Sequence, residues 1–271
     1  MKKLTDTRKE NEQNRGYLTE FIGSFFLTFV SCWSLIQSNL FQKEIKSGAL
    51  LIALAPSIVL YLFLYLGGRT HNASLNPAVT FSMMILQRQS WAVGTKYIIL
   101  QLTGAIIAGG FIFIELTTDQ YKKLQSMSIL GIPTKGSNYD SSVIIGEFIG
   151  SFMLGFVYTA IFTKDPKKDY GRIGAAGVCF IYFVALLSLT EVYGVGLNPA
   201  RSVGPAIIAG QFGTLQLYQI FSPLFGCLFG SVLQNSIYAE EEGDEEKEAL
   251  DESQSKLNKS DDQKEIELEE H

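Results

Sequence analysis

SLNPAVTF (residues 74–81) and GLNPARSVGPA (residues 196–206) share one tripeptide, Asn-Pro-Ala, at Asn76-Pro77-Ala78 and again at Asn198-Pro199-Ala200. Proline suits the first turn of a helix, where its missing N–H has no intrahelical partner to lose. Asparagine just before it is a good N-cap. Each tripeptide therefore predicts a helix start. Both open apolar stretches, about 76–86 and 198–208, that are too short to cross a bilayer. Such segments read as re-entrant half-helices.

Around them lie six longer apolar runs, at about 17–40, 48–67, 91–116, 142–163, 172–193 and 215–238. Runs of about 18 residues or more are long enough to span hydrocarbon as helices. The chain has 271 residues, 47% of them hydrophobic, and its charges crowd into the two ends and a few loops. The reading is an all-α membrane protein of six transmembrane helices and two half-helices.

The chain also repeats itself. TEFIGSFFLTFV (19–30) and GEFIGSFMLGFV (146–157) agree at nine of twelve positions, at an offset of 127, while the two Asn-Pro-Ala boxes lie 122 apart. Each half then holds three spans and one half-helix, at about 17–116 and 142–238. Three is odd, so the second half enters from the opposite face and an inverted repeat is expected. The two half-helices would meet near the midplane.

Lys2, Lys3, Arg8, Lys9 and Arg15 precede the first run, and Lys164, Lys167, Lys168 and Arg172 lie between the fourth and fifth. The positive-inside rule makes both segments cytoplasmic. An even number of spans puts both termini on that side. The polar first 16 residues argue against a cleavable signal peptide. Residues 240–270 carry 15 Asp or Glu against 4 Lys. Residues 239–271 are expected to be a disordered cytoplasmic tail, either simply solvated or docking a partner. That segment contributes −11 to the net charge of −5, so the remainder stands at +6. The acidic balance therefore says nothing about the apolar body, 17–238.

Each repeat places an acid inside a span, Glu20 and Glu147. Such groups are costly in a bilayer and face the protein interior. Two roles are open: proton or cation transport, or a carboxylate that accepts hydrogen bonds from the non-helical backbone before each box. The second is favoured, since each repeat needs such an acceptor. Glycines at helical spacing (Gly104, Gly109 and Gly110; Gly146 and Gly150; Gly226 and Gly230) predict close helix contacts. Cys32, Cys179 and Cys227 show no paired spacing and read as small buried hydrophobes, not as a disulfide framework or metal site. His71, in the loop before the first box, reads as incidental or as a pH gate. The apolar body offers no nucleophile–base set, no metal cluster, no cofactor loop and no nucleic-acid surface, so an enzyme is not expected.

The two boxes, KYIILQLTGA (96–105) and the glutamate-bearing first and fourth runs resemble the aquaporin, or major intrinsic protein, family over about residues 17–238. The resemblance implies a passive channel for water that excludes protons and ions, assembled as a homotetramer with one pore per subunit. It implies that Arg201, after the second box, is the arginine of an outer constriction. By ungapped spacing the other constriction positions fall on Pro56, Leu186 and Val195. Strict water channels carry an aromatic and a histidine where this chain has Pro56 and Leu186. A constriction of Pro, Leu, Val and Arg is wider and less polar, and Pro56 would kink its helix. Ser202 and Ala206, by contrast, look like the water type, and Gln219 and Ile220 match neither class. Leu27 and Leu154 are candidates for an apolar pore wall. Carbonyls at 72–75 and 194–197 are candidates for a ladder of acceptors. Three functions follow: a water channel; a facilitator that also passes glycerol, hydrogen peroxide or other small neutral solutes; or a non-conducting scaffold or adhesion protein. The membrane is either the plasma membrane or an internal vacuolar one.

Overall fold

The apolar runs fold as helices, and the two boxes each start one. The computed structural model describes residues 2–40, 48–71, 73–126, 140–162, 171–193 and 196–238, less some side chains near the ends of these stretches. The helices are α1 (Lys2–Leu40), α2 (Gly48–His71), α3 (Pro77–Ile85), α4 (Trp91–Glu115), α5 (Thr118–Ser126), α6 (Asp140–Ile161), α7 (Gly171–Tyr193), α8 (Pro199–Ile208) and α9 (Thr214–Tyr238). No strand occurs among the described residues. The chain divides into two compact units, Met1–Val232 and Leu233–His271. Everything described below lies in the first. Of the second, only the last residues of α9 are described, and the acidic tail at 239–271 lies outside the described residues.

Among the described residues, five helices are long and apolar enough to cross a membrane, within α1, α2, α4, α6 and α9. In α7 the apolar part among the described residues is Ile173–Leu189, but the helix itself has 23 residues. At about 1.5 Å per residue it is about 34 Å long, enough for a hydrocarbon layer of about 30 Å. Two features were not expected. The polar N-terminal residues continue α1 as one helix of 39 residues. A short helix, α5, occupies part of the loop after α4.

The burial pattern is that of a protein whose solvent is lipid. Leu50, Leu54, Ile58, Leu62 and Leu66 recur every fourth residue on α2, and all are exposed. Glu20, Gln101, Glu147 and Arg201 are at most 2% exposed. In water this arrangement would cost apolar exposure and polar desolvation together. In a bilayer it places polar groups where protein can satisfy them.

Close helix contacts follow the repeat. A Cβ on Gly104 of α4 would collide with the carbonyl of Phe21 on α1, and one on Gly226 of α9 with that of Phe148 on α6. Phe21 and Phe148 are 127 apart, as in the repeated segment. Gly230 meets the Phe152 carbonyl in the same way and Gly109 meets the Cα of Pro205, whereas Gly110 would meet nothing within 4 Å. Small residues thus bring helix backbones together where lipid supplies no hydrophobic drive. α2 runs through Pro56 without interruption. α3 packs on α4 and α6, and α8 packs on α4 and α1. The half-helices are thereby held inside the bundle.

Candidate functional site

Asn76 and Asn198 cap α3 and α8 from extended backbone. The Oδ1 of Asn76 accepts from the Ala78 N–H at 2.9 Å. That of Asn198 accepts from Ala200 at 3.0 Å and Arg201 at 3.3 Å. With both oxygens spent on caps, the amide nitrogens point away from their own helices. Asn76 Nδ2 donates to the Leu197 carbonyl and Asn198 Nδ2 to the Leu75 carbonyl, each at 2.8 Å. The two N-termini therefore abut, linked by reciprocal bonds across 121 and 123 residues of sequence. A side-chain amide has two N–H groups. One is used in each cross-link and one remains.

Leu75 and Leu197, just before the boxes, both have φ of 52°, in the left-handed region. For an L-residue this costs roughly 1–2 kcal/mol. Each leucine is held by a slot that a glycine opens. A Cβ on Gly23 would strike the Leu75 side chain at 2.5 Å, and one on Gly150 would strike Leu197 at 2.6 Å. These glycines stand three residues after Glu20 and Glu147 in the repeated segment. One helical turn thus supplies both the space and the charge that fix each loop.

The acids complete the arrangement. Glu20 accepts from the backbone N–H groups of Ser74 at 2.8 Å and Leu75 at 3.0 Å, and from Gln101 Nε2 at 2.7 Å. Glu147 accepts from Gly196 at 2.6 Å and Leu197 at 2.7 Å. Without these acceptors the N–H groups would be buried and unpaired, at about 1–3 kcal/mol each. In the first repeat Gln101 also reaches Ser74 Oγ and Thr80 Oγ1, extending the network to α3.

Where the boxes meet, a cavity of about 10 Å³ is open to the centre of a water molecule. That is close to the room one water needs. Leu27, Leu60, Val79, Leu154 and Val178 form its apolar wall. Asn76, Asn198, Ser74, Tyr158 and Tyr182 are the polar residues that line it. The carbonyls before the boxes are partly engaged: Ala73 accepts from the Tyr158 hydroxyl at 2.9 Å, and Leu75 and Leu197 accept from the asparagines.

Arg201 is 2% exposed. Its Nε donates to Ser31 Oγ on α1 at 2.9 Å, and its Nη1 is buried with no partner among the described residues. Leu186 is buried in α7, and Pro56 is buried in α2. Pro56, Leu186 and Arg201 are not part of the cavity lining. Val195, Asn72 and the His71 side chain lie outside the described residues. Cys32, Cys179 and Cys227 are free and buried. No group of three or more metal-binding side chains occurs among the described residues.

Sequence reading passed over Gln101 and Ser31. Gln101 is the one amide in an otherwise apolar stretch of α4, which was itself a signal. Ser31 had none, being one hydroxyl among several on α1.

Residues 7–238 match the family described as Major intrinsic protein. The chain belongs to this family. Among its relatives, a probable NIP-type aquaporin of Nicotiana alata is 30% identical over 222 residues, 81% of this chain and 76% of that one. Aquaporin TIP2-3 of Zea mays is 30% identical over 236 residues, covering 83% and 87%. The solved aquaglyceroporin of Plasmodium falciparum superposes with a TM-score of 0.65 at 18% identity, covering 83% of this chain and 95% of that one. That likeness bears on fold alone. Members of the major intrinsic protein family are channels, not enzymes. This major intrinsic protein is a membrane-spanning channel for water or small solutes.

Proposed function

We propose that the chain is a passive water channel whose path runs through the cavity between the two asparagines. The observation that carries this reading is the cavity itself. Its room is about that of one water, its wall is largely apolar, and both Asn76 and Asn198 face it. The remaining N–H of each asparagine donates to the oxygen of a passing water. A water held by its oxygen is poorly placed to relay a proton along the file. The N-termini of α3 and α8 add partial positive charge at the same point, which opposes cations. Glu20 and Glu147 are structural here, because their oxygens are occupied by loop N–H groups. Arg201, with Pro56, Leu186 and Val195, forms the outer constriction, both termini are cytoplasmic, and four copies assemble with one pore each.

A second reading, a facilitator that also passes glycerol or hydrogen peroxide, is favoured by Leu186, a buried apolar side chain at a position where histidine would narrow and polarise the opening. Swelling of proteoliposomes in sorbitol and glycerol gradients separates the two. Rapid water flux is expected, with slower but measurable glycerol entry that Leu186→His reduces several-fold. One buried CH₂ is worth about 0.8 kcal/mol, so partial contact changes a ratio by that order. Water flux with no glycerol entry leaves the strict water channel. Vesicles as tight as empty ones leave the scaffold.

A further inference from the structure

We infer that Tyr182 is a specificity-determining residue of this channel, its phenol hydroxyl forming with Asn76 and Asn198 a midplane site for small molecules that carry O–H groups. The inference rests on the channel reading above. Tyr182 is 1% exposed and lines the cavity that both asparagines face. Its hydroxyl is buried with no hydrogen-bond partner among the described residues. The other polar side chains of the lining are committed. Asn76 and Asn198 spend their oxygens on caps and present only N–H groups. Ser74 Oγ is held by Thr80 and Gln101, and the Tyr158 hydroxyl donates to Ala73. Tyr182 thus brings an uncommitted group, able both to accept and to donate, to a place where the asparagines only donate. An unpartnered buried hydroxyl is expensive, and the cost is recovered when a permeating molecule bonds to it.

The consequence differs between solutes. A hydroxyl oxygen in the cavity accepts from an asparagine, and its proton needs an acceptor. A water that loses the Tyr182 acceptor donates that hydrogen bond to the next water in the file instead. A glycol has its own carbon chain on that side, so the lost bond is not replaced. Tyr182 lies one helical turn before Leu186 on α7. The apolar lining of Leu27, Leu154 and Val178 and the hydroxyl at Tyr182 together suit a molecule with carbon on one side and hydroxyls on the other.

The test compares wild type with Tyr182→Phe, which removes one oxygen and keeps the ring. Ethylene glycol and water permeabilities are measured in the same proteoliposome preparation, beside the thermal stability of each protein. The expected result is a glycol-to-water ratio at least about threefold lower in Tyr182→Phe, on the scale of one neutral hydrogen bond. Its thermal stability should equal or exceed that of wild type. An unchanged ratio overturns the inference, and so does a wild type that passes water but no glycol. In both cases the channel reading stands. A wild type as tight as empty vesicles overturns both.

Discussion

Glu147→Ala is expected to abolish accumulation of folded protein. The substitution leaves the N–H groups of Gly196 and Leu197 buried without the acceptor they now have at 2.6 and 2.7 Å. Hydrogen bonds to a charged group contribute about 1.5–3 kcal/mol each, so the loss is roughly 3–6 kcal/mol. A typical domain has only about 5–15 kcal/mol to lose. The same loop also carries the left-handed Leu197, which depends on its anchor. Glu20→Ala removes three bonds instead of two, since Gln101 also donates to Glu20. Size exclusion in mild detergent, with a thermal melt, reads the effect. Glu147→Gln keeps one acceptor oxygen and should fall between. A Glu147→Ala protein that elutes and melts like wild type would return this acid to the alternative role of proton or cation transport.

Arg201→Val is expected to raise proton or cation leak by about 100-fold while water flux stays within about twofold. A unit charge acting over about 5 Å at an effective dielectric of 20 raises a cation barrier by roughly 3 kcal/mol. Stability should change little, because Nη1 has no partner among the described residues and the bond the structure shows there is a single one, from Nε to Ser31. The measurement is collapse of a pH gradient, followed by an internal dye beside osmotic swelling in the same vesicles. An unchanged leak would place the ion barrier wholly at the half-helix N-termini.

The fold was legible because two periodicities coincided in the sequence: apolar runs of spanning length, and a duplication with an odd number of spans per half. Asn-Pro-Ala names both the cap and the first helical residue, so α3 and α8 start where the sequence places them. The Glu-x-x-Gly element of the repeat was visible, but its second half was not understood. Gly150 looked like a general packing glycine, and Gly23 drew no reading of its own. Their partners, Leu75 and Leu197, matter only because of a backbone angle that leucine rarely adopts. The reciprocal amide-to-carbonyl bonds were equally hidden, because they join residues more than a hundred positions apart. That the Tyr182 hydroxyl lacks a partner among the described residues was illegible for a related reason. A tyrosine in an apolar run has no visible partner in sequence, whether or not it has one in the fold. The continuation of α1 to Lys2 was missed because polarity marks where a span ends, not where a helix ends.

The path itself is open to a direct test by plugging. Leu27 and Leu154 occupy equivalent places in the repeat and both line the cavity between the asparagines. Tryptophan at either position fills a space of about 10 Å³, about the room of one water. Tryptophan at Leu50, on the exposed stripe of α2, is the control. The measurement is the stopped-flow osmotic water permeability of proteoliposomes holding equal amounts of monodisperse protein. Leu27→Trp and Leu154→Trp should fall to the rate of empty vesicles, with Leu50→Trp at the wild-type rate. Wild-type flux through folded Leu27→Trp and Leu154→Trp would contradict a water path between Asn76 and Asn198.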